Sequence, residues 1–279
     1  MKKRMLYISL LGMLLLASCN EKIKSETTLS KVSPPEVEKE IEEVSDEEVE
    51  YNSDADLEVV EETIVQEPQY ELNTKTYSIQ PIGDANPKVV LLTIDDAPDK
   101  RALDMAKTLK GLNAQAIFFV NGHFIATDEQ RAILKEIHNM GFAIGNHTNT
   151  HVNLKTLSEE EQREEIISVN DIVEEVTGER PLFFRAPFGV NTDFSRALAI
   201  EEGMLLMNWS YGYDFEREFM TKDKIADIMV NTELLRNGSN LLMHDRDWTA
   251  DALGDIVNGL RDKGYEIVDP NLIKGLAKE

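Results

Sequence analysis

The chain has 279 residues, 42% of them apolar, and carries 52 Asp or Glu against 29 Lys or Arg, for a net charge of −23. A surface that negative disfavours nucleic acid and bare anionic lipid as partners, because phosphate binding needs clustered Lys and Arg. The single cysteine excludes an intrachain disulfide and a Cys-based zinc cage.

In chain order, Lys2-Lys3-Arg4 precedes a 13-residue apolar run, 5–17. That run is too short to span a bilayer but suits the hydrophobic part of a secretory signal. It ends Leu16-Ala17-Ser18-Cys19, which resembles the lipobox of bacterial lipoproteins, with an ordinary signal and an incidental cysteine as the alternative. The expectation is a signal peptide over 1–19, lipidation at Cys19, and a membrane partner held through that anchor on the outer face. Residues 20–75 are expected to form a disordered acidic linker. Residues 20–70 hold 17 Asp or Glu, 4 Lys and no Gly, too little apolar surface to offset the entropy of ordering. A flexible chain of that length reaches roughly 40 Å.

The folded domain is expected over 76–279. Residues 89–94 form a continuous β-branched apolar run, hence a buried strand, and 102–110 have helical spacing ended by Gly111. Strands are predicted at 116–120, 142–145, 182–184, 204–209, 240–243 and 265–268. Thr127 with Gln130 and Ser158 with Glu161 are capping boxes that open helices running to about Asn139 and to Gly178. Further helical segments lie near 193–202, 222–236 and 249–263. Seven strands in strict alternation with helices predict an α/β fold with a parallel sheet, either closed into a barrel or doubly wound.

In such folds function gathers at the C-terminal ends of strands. Those ends carry Asp95-Asp96, His147 to His151, Arg185, Trp209 and Asp214, and His244-Asp245. On one helical turn His147 and His151 would share a face and could hold one ion. Adjacent aspartates at a buried strand end are costly unless paired or bound to a cation, which suggests a metal for one and Arg185 for the other. His123 is read as a surface or packing residue, His138 as solvated, and the run Asp245-Arg246-Asp247-Trp248 as a loop, either solvated or shaping the rim near His244.

Thr93-Ile94-Asp95-Asp96, His147-Thr148-x-x-His151, Arg185-x-Pro187-x-Gly189 and Leu242-x-His244 resemble, in order, the motifs of carbohydrate esterase family 4, the polysaccharide deacetylases with a NodB-homology domain. The resemblance covers about 88–270. It implies a distorted (β/α) barrel of about seven parallel strands, NodB-like, and hydrolysis of N-acetyl groups on N-acetylglucosamine-type sugars. It also implies a divalent metal, zinc first, with Co2+, Ni2+ or Fe2+ admitted by the same donors. Carried over by residue, Asp96, His147 and His151 are the metal ligands. Asp95 is the general base, held in place by Arg185, and His244 is the general acid. The backbone N–H of Phe188 stabilises the oxyanion, while Trp209 and Leu242 wall the sugar and acetyl pocket or simply pack.

The sequence departs from the family pattern where Ile94 and Ala97 replace an aromatic and a glycine, and where Val190 replaces a frequent aromatic. It departs again in 210–215, where an Asp-x-x-Asp-Trp motif is reduced to Asp214 and Phe215. Asp214 is the candidate to orient His244. The expected substrate is an envelope glycan, peptidoglycan first, met outside the cytoplasm. Two other classes compete: an Fe(II) oxygenase built on two His and one carboxylate, and an envelope-binding or structural lipoprotein with this fold and little or no turnover.

Overall fold

The computed structural model describes residues 67–275. The signal and lipobox expected at 1–19, Cys19 included, and most of the expected linker lie outside the described residues. The folded part begins with a hairpin, β1 (Tyr70–Leu72) and β2 (Ile79–Pro81). The elements then alternate: β3 (Val89–Ala97), α1 (Ala102–Gly111), β4 (Ile117–Val120), α2 (Asp128–Asn139), β5 (Ala143–Asn146) and α3 (Glu159–Thr177). They continue as β6 (Phe183–Phe184), α4 (Asp193–Glu201), β7 (Leu205–Leu206), α5 (Lys222–Asn231), β8 (Ser239–His244), α6 (Asp247–Asp262) and β9 (Glu266–Ile267).

Strands β3 to β9 form one parallel sheet in the order β7-β6-β5-β4-β3-β8, with β9 paired to the first residues of β3. The sheet curls until the chain beyond β7 meets β8 through a parallel bridge, Tyr211↔Leu241, so the barrel is distorted rather than regularly closed. Gly212 permits that approach, since a Cβ there would lie 2.6 Å from the Leu242 carbonyl oxygen.

The pleat sorts side chains into two layers. Val89 and Leu91 of β3, Ile117 and Phe119 of β4, Phe183 and Leu205 fill the inside, with Tyr70, Ile79 and Ile273 sealing one end. Val90, Leu92, Ile94, Phe118, Leu241 and Met243 face the helices, meeting Met105, Leu109, Leu134, Leu253 and Leu260. Both expected capping boxes are present, at Thr127 and Ser158, and Gly178 ends α3 in the left-handed region (φ 87°). A third box, Thr192 with Ser195, opens α4.

Three expectations change. The linker boundary at 75/76 falls inside the hairpin, whose Tyr70 is buried and pairs with Ile273 and Pro81. Strands β6, β7 and β9 are two residues each, because the curl takes the following backbone out of register while single bonds such as Met207 N–H to the Phe184 carbonyl persist. Helix α5 stops at Asn231 rather than 236: the Thr232 hydroxyl bonds the Tyr213 hydroxyl at 2.6 Å and accepts the Leu234 N–H, competing with the helix.

Candidate active site

The register of two neighbouring strands sets the centre of the site. Thr93 of β3 pairs with Leu242 of β8, and Asp95 pairs with His244. The same pleat that buries Val89 and Leu91 inside the sheet therefore turns Thr93, Asp95, Leu242 and His244 inward at the C-terminal end. Arg185 follows β6 and Trp209 follows β7, so both reach the same rim.

Arg185 is fully buried, and its Nη1 donates to Asp95 Oδ1 at 2.6 Å and to Thr93 Oγ1 at 2.8 Å. Its Nη2 donates to the Asn208 carbonyl at 2.9 Å, and its guanidinium lies 4.3 Å over the Phe119 ring. Burial pulls its pKa down, and the charge and hydrogen bond of Asp95 oppose that pull. A buried cation tolerates this position because donors and ring face are matched on several sides. The Thr93 hydroxyl donates onward to the Leu241 carbonyl at 2.7 Å, tying the arginine to β8.

Asp96, His147 and His151 converge, with one ligand atom from each lying within 4.8 Å of the others. His147 Nε2 is 3.9 Å and His151 Nε2 3.5 Å from Asp96 Oδ1. The His147 Nδ1 is 2.7 Å from the Arg185 carbonyl oxygen, so Nδ1 carries the hydrogen and Nε2 presents a lone pair to the cluster. Burial raises the Asp96 carboxyl, but His147, His244, His151 and Arg246 together bring it below its ordinary value. Burial, reinforced by His147, lowers His151. An ionised carboxylate and neutral imidazoles are the forms that ligate. Bonds of 2.0–2.2 Å at tetrahedral angles would put donor atoms about 3.3 Å apart, close to the distances here, so the donor set fits a divalent cation such as zinc.

The two histidines do not share a helical turn, as their spacing suggested. They sit on the loop after β5, which turns through left-handed residues at Thr148 (φ 68°) and His151 (φ 58°). Asn121 Nδ2 donates to the His147 carbonyl at 2.6 Å, and Asn146 Oδ1 accepts the Thr148 N–H at 2.8 Å. These two buried amides replace the helical hydrogen bonds that the loop lacks. Ala97 needs no left-handed backbone either. It ends β3 opposite Val120, and the left-handed residue is Asp96 (φ 59°).

Across the cavity Asp214 is fully buried. Its Oδ1 lies 2.7 Å from His244 Nδ1, and its Oδ2 accepts the His244 backbone N–H at 2.6 Å and the Thr249 hydroxyl at 2.8 Å. Burial pulls the His244 imidazole down. The Asp214 hydrogen bond and charge, with Asp95 and Asp96, outweigh it and raise the imidazole above its ordinary value.

These groups border a cavity of about 400 Å³ lined by Asp95, Asp96, His147, His151 and His244, with Trp209 and Leu242 on its wall. Phe188 (63% exposed) and Phe215 (52%) stand on opposite rims, edge-on to His151 and His244. Gly189 (φ 67°) follows Phe188, and a Cβ there would come within 3.0 Å of the Trp209 ring.

Sequence reasoning missed the roles of Thr93, Asn121, Asn146, Thr249 and Arg246. The run 245–248 is no solvated loop. Asp245 is buried and accepts the N–H groups of Lys100 and Arg101 at 2.8 and 2.6 Å, and Trp248 Nε1 donates to the Asp214 carbonyl at 2.9 Å. His123 bonds the Asn149 carbonyl, and His138 lies 3.5 Å from Glu179, both away from the cluster.

The chain is similar to known proteins over most of its folded part. The profile of the family described as "Polysaccharide deacetylase" matches residues 82–206. A peptidoglycan-N-acetylglucosamine deacetylase of Bacillus cereus is 33% identical over 198 residues, covering 67% of this chain and 68% of that protein. The peptidoglycan-N-acetylmuramic acid deacetylase PdaC of Bacillus subtilis is 31% identical, covering 70% of this chain and 41% of that protein. Among solved structures, a CE4 family pseudoenzyme from Bacillus anthracis matches with a TM-score of 0.60 at 28% identity, over 66% of this chain and 64% of that one.

Proposed function

The chain belongs to the polysaccharide deacetylase family, and from that membership we propose a hydrolase that removes N-acetyl groups from N-acetylglucosamine-type residues of cell-wall peptidoglycan. Asp96, His147 and His151 are assigned as ligands of a divalent cation, zinc first. When bound, that cation supplies Lewis-acid polarisation of the acetyl carbonyl and lowers the pKa of a water.

The remaining work belongs to side chains of this protein. Arg185 holds Asp95 Oδ1, which leaves Oδ2, 3.5 Å from His147 Nε2, as the acceptor for the proton of the attacking water. The Phe188 N–H is assigned to the developing oxyanion. His244, protonated and oriented by Asp214, gives its proton to the departing nitrogen as the C–N bond breaks, so acetate and a free amino sugar leave. Trp209 and Leu242 give the acetyl methyl an apolar wall, and the rim aromatics offer faces to sugar rings.

One observation carries turnover over mere binding: the buried Asp214 contacts both the Nδ1 and the backbone N–H of His244, although its motif departs from the family pattern. The likeness to a pseudoenzyme makes the inactive alternative concrete. Acetate release from an N-acetylglucosamine oligomer by the full chain, with and without a chelator, separates the two. Chelator-sensitive release is expected, and none with any divalent metal favours a binding protein. We also propose that 1–19 act as a lipoprotein signal with Cys19 lipidated, placing the domain outside the cytoplasm. Among the described residues no helix is long and apolar enough to cross a membrane. Loss of fatty-acid labelling in Cys19→Ser is the expected result.

A further inference from the structure

Arg246 stands between two aspartates 150 and 147 positions away in sequence. Its Nη2 donates to Asp96 Oδ2 at 2.7 Å, and its Nη1 lies 3.6 Å from Asp99 Oδ2. Nη1 also donates to the Asp245 carbonyl at 3.1 Å. Asp245 is itself fixed, its carboxylate on the backbone at the start of α1 and its N–H on the Asp95 carbonyl at 3.0 Å. The guanidinium is therefore positioned from behind before it meets Asp96. The two oxygens of Asp96 are divided as a result: Oδ2 is committed to Arg246, and Oδ1 faces His147 and His151. A carboxylate free to rotate would lose that preference, and its ordering would then weaken every cation it binds.

We infer that Arg246 is a positioning residue of the cation site: by holding Asp96 Oδ2 it presents Oδ1 alone, as a single-oxygen ligand, to the ion shared with His147 and His151. The inference rests on the proposed cation site. Repulsion between guanidinium and cation acts in the opposite sense, but the Asp99 carboxylate beside Arg246 offsets its charge, so orientation governs.

The test is Zn2+ affinity of the full chain, measured by competition with a chromophoric chelator, alongside thermal melts of the metal-free protein. R246Q is expected to bind Zn2+ about 10- to 100-fold more weakly. R246K, which keeps the charge but has no planar fork, should fall between R246Q and wild type. Unchanged or tighter binding by R246Q overturns the inference. A loss in R246Q that comes with a lowered metal-free Tm and that R246K fails to reduce also overturns it, because damage where α1 meets α6 then accounts for the effect. Should R246Q fail to fold, R246K decides: weaker binding supports the inference and wild-type binding overturns it. A wild-type chain that takes up no Zn2+ overturns both this inference and the reading beneath it, whereas wild-type uptake with R246Q unaffected overturns this one alone.

Discussion

The two sides of the cavity are built differently. On one side Asp95 lies within a nine-residue strand and is held by an arginine with no solvent contact, itself bonded to Thr93 and Asn208. On the other, His244 ends its strand and depends on Asp214, which comes from the irregular stretch beyond the two-residue β7. Strand register fixes the first side, and tertiary contacts from Thr249, Trp248 and the His244 backbone fix the second. A motif can thus change in 210–215 without losing the carboxylate, because the acceptor is positioned by what packs around it rather than by its neighbours in sequence.

The contrast can be broken from either side. Asp95→Asn removes the proposed proton acceptor while keeping its shape, and a loss of about 10²- to 10⁴-fold in kcat is expected, with metal content unchanged on elemental analysis. Full activity in that variant ends the mechanism. Arg185→Met leaves Asp95 buried without its partner. Urea unfolding should show a loss of about 3–5 kcal/mol, because a broken buried pair is costlier than an absent one. A smaller figure would mean that the base side is no more rigidly built than the acid side.

The acid side answers to pH. His244 has a raised pKa, and in the proposed role of acid it acts protonated, so activity should persist as pH rises until that pKa is passed. Asp214→Asn removes the largest lifting interactions and leaves burial opposed only by Asp95 and Asp96, so the alkaline limb of the kcat profile should move to lower pH, with a drop of about tenfold in kcat at neutral pH. An unmoved limb would detach Asp214 from the reaction. The mildest expected change is Phe215→Ala at the exposed rim. Stability should shift by less than about 0.5 kcal/mol, with any effect confined to KM for long oligomers.

Much of this was legible in the sequence, and the failures share a cause. Seven strands, their alternation with helices and both first capping boxes follow from local periodicity and side-chain chemistry. The polar strand ends pointed to one rim. The hairpin from Tyr70 was missed because three-residue strands around a polar turn carry almost no periodic signal. The spacing of His147 and His151 would suit a helical turn but does not decide between that and the observed loop, because spacing alone cannot reveal Thr148 and His151 in the left-handed region, stabilised by Asn121 and Asn146. Arg246 sat in a run that reads either as shaping the rim near His244 or as a solvated loop, and neither reading names its partner, Asp96, 150 residues earlier. Bonds that long are made by the topology, and no window of sequence contains them.

The opening hairpin has a mechanical consequence. Tyr70 pairs with Ile273, and the Ile79 N–H bonds the carbonyl of Gly238, next to the first residues of β3 and β8. Asp95 lies six residues further along β3 from Val89, about 20 Å away at the strand rise. A pull applied at residue 67 would load the Tyr70 pairing with Ile273 and the Ile79 bond to Gly238 before it reached the strand end that carries Asp95.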